Sequence, residues 1–112
     1  MDEKEFEKLG EISFQIIANV GAAKSLYIQA IQEAKEGRFD EADKLIEEGD
    51  KIYVGGHHAH HELVTKEAGG EPVIPILLLV HAEDQLMAAE TVKILALEII
   101  ELHKRLVKES EK

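Results

Sequence analysis

Along the first third of the chain, apolar residues fall at Phe6, Leu9, Ile12, Ile16, Ile17, Val20, Ala23, Leu26, Tyr27, Ala30, Ile31 and Ala34. Steps of three and four keep these side chains on one face of an α-helix. The pattern crosses Gly10 and Gly21 without losing phase, so it predicts one helix over about 2–35, with any kink falling near Gly21. Glycine weakens a helix by roughly 1 kcal/mol relative to alanine, so a glycine at 21 points to close backbone approach. The plainer alternative is that it separates two shorter helices.

Gly37 ends this segment, supplying the left-handed residue that often follows a helix. Asp40 is then placed to cap a second helix over about 40–68, with Phe39 before it as a hydrophobic staple. That helix would bury Ala42, Leu45, Ile46, Gly49, Ile52, Tyr53, Gly56, Ala59, Leu63 and Val64. Its glycines allow a neighbouring helix to come close, although Gly55-Gly56 could equally mark a break. Gly69-Gly70-Glu71-Pro72 stops it. Pro75 suits the first position of a third helix over about 75–108, where a missing N–H costs nothing. Lys104, Arg105 and Lys108 favour its C-terminal dipole end, and residues 109–112 are expected to fray. Short loops force antiparallel neighbours, so the fold class is all-α: a single 1–112 domain, an up-down-up three-helix bundle with helices roughly 45 Å long.

The third helix breaks the usual pattern in two ways. Leu77, His81, Asp84, Ala88, Thr91, Leu95, Glu98 and Leu102 form one helical seam, yet an imidazole and a carboxylate sit in it. An ionised Asp on a buried seam costs several kcal/mol unless it is paired or holds a metal. Apolar residues also lie around much of the remaining circumference: Ile76, Leu78, Leu79, Val80, Leu86, Met87, Ile94, Leu97, Ile99 and Ile100. Two partner helices cannot cover such a surface, so the pattern predicts a homo-oligomer with the third helices at its centre and Asp84 facing its own copies.

Charge narrows the partners. Thirteen Lys and Arg against 23 Asp and Glu give a net charge of −10, which argues against nucleic acid or an anionic membrane surface. The chain has no cysteine, hence no disulfide, thiolate metal site or cysteine nucleophile, and an intracellular location is compatible with that. The first residues lack the basic-then-apolar pattern of a signal peptide, and the apolar run from Val73 to Val80 is too short to span a bilayer.

Two clusters can carry chemistry. His81 beside Asp84 is the first: imidazole accepts phosphoryl groups through one ring nitrogen while a partner on the other fixes the tautomer, and carboxylates converging on a shared axis demand protons or a cation. The second is Gly56-His57-His58-Ala59-His60-His61-Glu62, where His57/His61 and His58/Glu62 are each four apart and each pair could chelate a metal from one helical face. The blander expectation leaves two of these histidines exposed and one or two lining a groove. No phosphate-cradling glycine loop, dinucleotide fingerprint or nucleophile elbow is present, and no repeat near a period of about 34 residues.

The run Leu77-Leu-Leu-Val-His-Ala-Glu-Asp-Gln-Leu-Met87 resembles the enzyme IIA component of the phosphoenolpyruvate-dependent phosphotransferase system, lactose/cellobiose (N,N′-diacetylchitobiose) class. The resemblance extends from about Glu11 to Leu106 and takes in Ile16-Ile-Ala-Asn-Val-Gly-Ala-Ala-Lys-Ser25, Ala34-Lys-Glu-Gly-Arg-Phe-Asp-Glu-Ala-Asp43, Gly56-His-His-Ala-His60, Lys66-Glu-Ala-Gly-Gly70 and Glu98-Ile-Ile-Glu-Leu-His103. It implies a cytoplasmic homotrimer of nine helices. It implies that His81 accepts a phosphoryl group from the histidine phosphocarrier protein and passes it to the cysteine of enzyme IIB during uptake of a β-disaccharide. Asp84 matches an aspartate at the trimer axis, where three carboxylates share one divalent cation, commonly magnesium. Gln85 stands where some relatives carry a second histidine, and His57 matches a recurrent family histidine; both are implied to be neighbours of the site.

Two stretches depart from the family pattern. Val54-Gly55-Gly56 interrupts a helix, and Val73-Ile74-Pro75-Ile76 is unusually apolar for the loop into the third helix. Exposed, they would form sticky patches, which supports an alternative: an engineered or specialised structural trimer that assembles through altered outer surfaces without phosphotransfer. A His-rich metal-binding bundle using His57, His58, His61 and Glu62 is a further alternative.

Overall fold

A computed structural model describes residues 1–111. Three helices follow one another: α1 (Glu3–Lys35), α2 (Phe39–Ala68) and α3 (Leu77–Ser110). Among the described residues there is no strand, and no helix is long and apolar enough to cross a membrane.

α1 is the hub. Its buried residues are Leu9, Ser13, Ile16, Val20, Ala23, Tyr27, Ala30 and Ala34, an unbroken alternation of four- and three-residue steps. The sequence pattern skips Ser13, whose hydroxyl is tolerated in the core because it donates 2.7 Å back to the Leu9 carbonyl one turn earlier. The helix runs straight through Gly21, and a Cβ there would meet nothing within 4 Å. Neither a helix break nor a close approach within the chain accounts for that glycine.

α2 lies antiparallel on α1, and here glycine does bring two backbones together. A Cβ on Gly49 would stand 2.6 Å from Tyr27 Cε1, and one on Gly56 2.7 Å from Val20 Cγ1. α2 continues through Gly55-Gly56 without interruption. Val64 turns outward and is exposed.

The helix boundaries correct several expectations. Gly37 has φ +77° and ends α1 as expected, but the N-cap of α2 is Arg38, not Asp40, and Phe39 is the first helical residue rather than a staple before it. The turn is closed instead by backbone: Arg38 N–H donates to the Glu33 carbonyl and Ala42 N–H to that of Arg38. An ion pair between Arg38 and Glu33 spans it, holding the Glu33 carboxyl below its usual range and the guanidinium above its own. Pro75 lies two residues before α3, whose N-cap is Ile76; residues 71–76 are irregular. Residues 109 and 110 are helical rather than frayed, with Ser110 Oγ donating to the Val107 carbonyl and Glu111 as the C-cap. Lys112, in the segment expected to fray, lies outside the described residues.

α3 buries Leu79, Ala82, Leu86, Ala89, Ala96 and Ile100 against α1. That is a second three–four seam, and it differs from the one expected. Leu77, His81, Asp84, Thr91, Leu95, Glu98 and Leu102 are all exposed, on the outward side of the helix. The seam carrying His81 and Asp84 is therefore not buried within the chain. Val73 and Ile76, in the apolar loop, pack against the core cluster of Leu9, Ile16 and Leu79, which explains much of that loop's composition. Val54 and Ile74 are exposed.

The α2–α3 contact is largely polar. His60 meets Glu83, Asp50 meets Lys93 and Asp43 meets Lys104, at 3.1, 2.9 and 3.7 Å. The partners run backward along α2 as they run forward along α3, as antiparallel helices require. The Asp50 carboxylate also accepts a 2.7 Å hydrogen bond from Tyr27 on α1, so one node ties all three helices. The rod measures 65 × 21 × 19 Å, longer than a helix of about 34 residues at roughly 1.5 Å each, because α3 overruns the α1–α2 turn: residues 104–111 are all exposed.

Candidate functional site

His81 stands on the second turn of α3, exposed, at the rim shared by two open grooves. The larger, about 910 Å³, runs between the start of α1 and the start of α3. Phe6, Gly10, Phe14, Ile76, Leu77 and Leu78 supply its apolar walls, with Glu7 and Glu11 at the edge. The smaller, about 500 Å³, follows the outward face of α3 past Leu77, Val80, Glu83, Asp84 and Met87. His81 and Asp84 are thus brought to one surface, one turn apart.

The sequence dictates this placement through its phase. Leu79, Ala82 and Leu86 commit one face of α3 to the core, and residues 81 and 84 fall about 200° from 79 and 82 at 100° per residue. The apolar groove follows from Phe14, which lies off the buried seam of α1, and from Phe6, which the sequence pattern counts on that seam but which the structure leaves exposed beyond its first buried residue, Leu9. Asp84 is exposed, and among the described residues its side chain makes no hydrogen bond or ion pair. Gln85 is half-buried at the next position.

The α2 histidines are dispersed rather than gathered. None lines either groove beside His81. His57, His58 and His61 are exposed; His57 and His61 stack with ring centroids 6.2 Å apart and planes 7° from parallel, and His58 Nε2 lies 3.2 Å from Glu62. Among the described residues no group of three or more His, Cys, Asp or Glu is placed to hold a metal ion. His57 lines neither of the grooves that His81 borders.

His60 is different. It is half-buried, its Nε2 lies 3.1 Å from Glu83 Oε2 on α3, and the two line a third groove of about 600 Å³ with Glu67, Val73, Pro75 and Leu79. This pair was not visible in sequence, because His60 reads as one of four clustered histidines and Glu83 as a solvated carboxylate. Tyr27 was likewise read only as an apolar position. Its burial and the Asp50 carboxylate raise the pKa of its phenol, and burial together with nearby Glu90 raises that of Tyr53.

Residues 11–104 match the family described as the PTS system, lactose/cellobiose-specific IIA subunit. The oligo-beta-mannoside-specific EIIA component of Bacillus subtilis (strain 168) is 43% identical over 94 residues, 84% of this chain and 86% of that protein. The lichenan-specific phosphotransferase enzyme IIA component of the same organism is 42% identical over 103 residues, 92% and 94% of the two. In three dimensions the chain resembles the crystal structure of the cellobiose-specific enzyme IIA from Bacillus anthracis, with a TM-score of 0.86 and 40% identity over 96% of this chain and 94% of that one. It also resembles the IIA(Chitobiose) structure solved in complex with HPr from Escherichia coli, with a TM-score of 0.69 and 32% identity over 88% and 95% of the two chains.

Proposed function

The chain belongs to the lactose/cellobiose-specific IIA family of the phosphotransferase system, and from that premise we propose that His81 is its phosphoryl acceptor, loaded by the histidine phosphocarrier protein and discharged to the cysteine of enzyme IIB in β-disaccharide uptake. One observation carries this reading above the others. His81 is an exposed imidazole at the mouth of an apolar groove, on the outward side of a helix whose other face is packed in the core. The structural likeness to an IIA protein solved with HPr supports the donor.

The chemistry follows from that setting. One ring nitrogen of neutral His81 attacks the donor's phosphorus in line, an N–P bond forms as the donor's N–P bond breaks, and the donor imidazole leaves with the lone pair. The transition state is loose, so catalysis is mostly positioning and electrostatics. In the second step the enzyme IIB thiolate attacks, an S–P bond forms and His81 recovers its lone pair. The apolar walls beside His81 give two different partners one docking face and limit water attack on the stored N–P bond. Two partners using one groove must bind in turn.

The oligomer belongs to the same proposal. Leu77, Val80, Met87, Ile94, Leu95 and Leu102 are all at least half exposed or nearly so on α3 of a single chain, a stripe too apolar to face water. Threefold association of the α3 helices would bury it and bring three Asp84 carboxylates to the axis. Among the described residues of one chain Asp84 belongs to no group of three potential ligands, but three hard carboxylate oxygens from three chains suit a magnesium ion, which would neutralise their mutual repulsion.

Incubation with phosphoenolpyruvate, enzyme I and the carrier protein tests the reading. One acid-labile phosphate per chain is expected on wild type and none on His81→Ala. An unlabelled wild type, or a fully labelled variant, refutes it.

A further inference from the structure

His81 sits on a helix whose beginning is weakly fixed by its own sequence. Ile76 gives α3 no side-chain cap and its first turn carries no acidic residue; the backbone bonds at this end all run through Ile76, whose N–H donates to the Ile74 carbonyl and whose carbonyl accepts from Leu79 and Val80 N–H. Among the described residues, the first ten of α3 make a single side-chain hydrogen bond. It is the one between Glu83 and His60.

Glu83 follows His81 by two residues, so the two side chains leave the helix about 200° apart. The Glu83–His60 contact therefore grips the far edge of the outward face of α3, across the groove that His81 and Glu83 both border. An apolar seam of Leu79, Ala82 and Leu86 sets how deep the helix lies but resists rotation about its axis poorly, since alanine and leucine contacts have no direction. A hydrogen bond does. With side-chain atoms roughly 6 Å from the axis, a rotation of about 10° would carry the His81 nitrogens about 1 Å. A displacement of that size is enough to spoil an in-line attack.

We propose that His60 is a positioning residue for phosphoryl transfer: by hydrogen-bonding Glu83 it sets the rotation of the uncapped start of α3, and with it the aim of the His81 imidazole. This rests on His81 being the phosphoryl acceptor. Among the described residues, His60 alone of the four α2 histidines makes a hydrogen bond or ion pair to α3, and its partial burial restricts the ring. The next α2–α3 link, Asp50 to Lys93, lies ten residues further along each helix and cannot hold the first turns.

Rapid-quench measurement of phosphate transfer from the carrier protein tests this. His60→Ala is expected to lower the rate at saturating carrier by about tenfold or more, while half-saturation changes by less than about twofold, because docking is intact and aim is lost. Glu83→Ala is expected to lose as much, and the double variant no more than the slower single one. His60→Gln, whose amide can donate to the same carboxylate, recovers most of the rate even if the alanine variant folds poorly. Unchanged rates in the single variants, losses that multiply in the double variant, or a glutamine variant as slow as alanine overturn the proposal. A wild type that takes no label refutes the acceptor reading instead, so the two failures are distinguishable.

Discussion

At the scale of single residues, glycine in this chain has two unrelated meanings, and only the fold separates them. Gly49 and Gly56 lie under the buried side chains of Tyr27 and Val20, where an added methyl would come within 2.6 and 2.7 Å. Tyr27 cannot retreat, since its ring is fully buried and its hydroxyl is held by Asp50. Alanine at either position should therefore destabilise by about 1–3 kcal/mol, overpacking outweighing the helix-propensity gain of roughly 1 kcal/mol. Gly21→Ala meets no atom within its own chain and should raise stability by up to about 1 kcal/mol. Urea denaturation of the three variants reads the signs directly, and a loss at Gly21 would place that residue against another copy. The sequence marked Gly49, Gly56 and Gly21 alike as sites of close approach, and within the chain only the first two meet a neighbour, because spacing tells which face a glycine is on but not what opposes it.

Among the elements, helix interiors were legible and helix starts were not. Periodicity over tens of residues placed all three helices to within about two residues, since apolar burial is repeated at every turn and single exceptions such as Ser13 do not shift its phase. A start depends on one or two residues. Asp40 and Pro75 both have the right chemistry for a helix beginning, yet a backbone-closed turn and the packing of Val73 and Ile76 moved the beginnings to Phe39 and Leu77. Polar links between helices left no trace in the pattern at all. The Tyr27–Asp50–Lys93 node shows why they matter: the phenol is protonated and donating, and its pKa is raised by burial and by the carboxylate it serves. A raised pKa means that the folded state holds the proton more firmly than the unfolded chain does. Its stabilising contribution is complete below pH 10, the ordinary tyrosine value, and is lost as pH rises above it. Stability should thus be flat in this respect below about pH 9 and fall above pH 10, by up to roughly 1.4 kcal/mol per pH unit for each such tyrosine. Tyr53 is shifted the same way, so Tyr27→Phe should reduce the alkaline slope rather than abolish it. Unfolding free energies measured from pH 8 to 11.5 decide the matter.

For the whole molecule, the site is the place where the local rules are broken. His81 and Asp84 stood out because an apolar helix should not carry an imidazole and a carboxylate, and the structure resolves this by turning both away from the chain's own core. The apolar circumference of α3 already called for more than one packing face; what sequence could not convey is which seam lies against α1 and which is left bare. If three chains close over the bare seam, its apolar residues drive assembly and Asp84 opposes it, because like charges converge as the interface forms. These forces can be separated by mutation. Ile94 is more than half exposed and falls outside the buried cores of its own chain, so Ile94→Asp should leave the monomer helical by circular dichroism while shifting the sedimentation mass from trimer to monomer. Asp84→Asn keeps the shape of the side chain and removes the charge. It should assemble at least as tightly as wild type when no divalent ion is present. A chelator should then lower the trimer's melting temperature in wild type, where the repulsion is uncovered, and leave Asp84→Asn unmoved; an equal response of the two proteins would remove Asp84 from the axis.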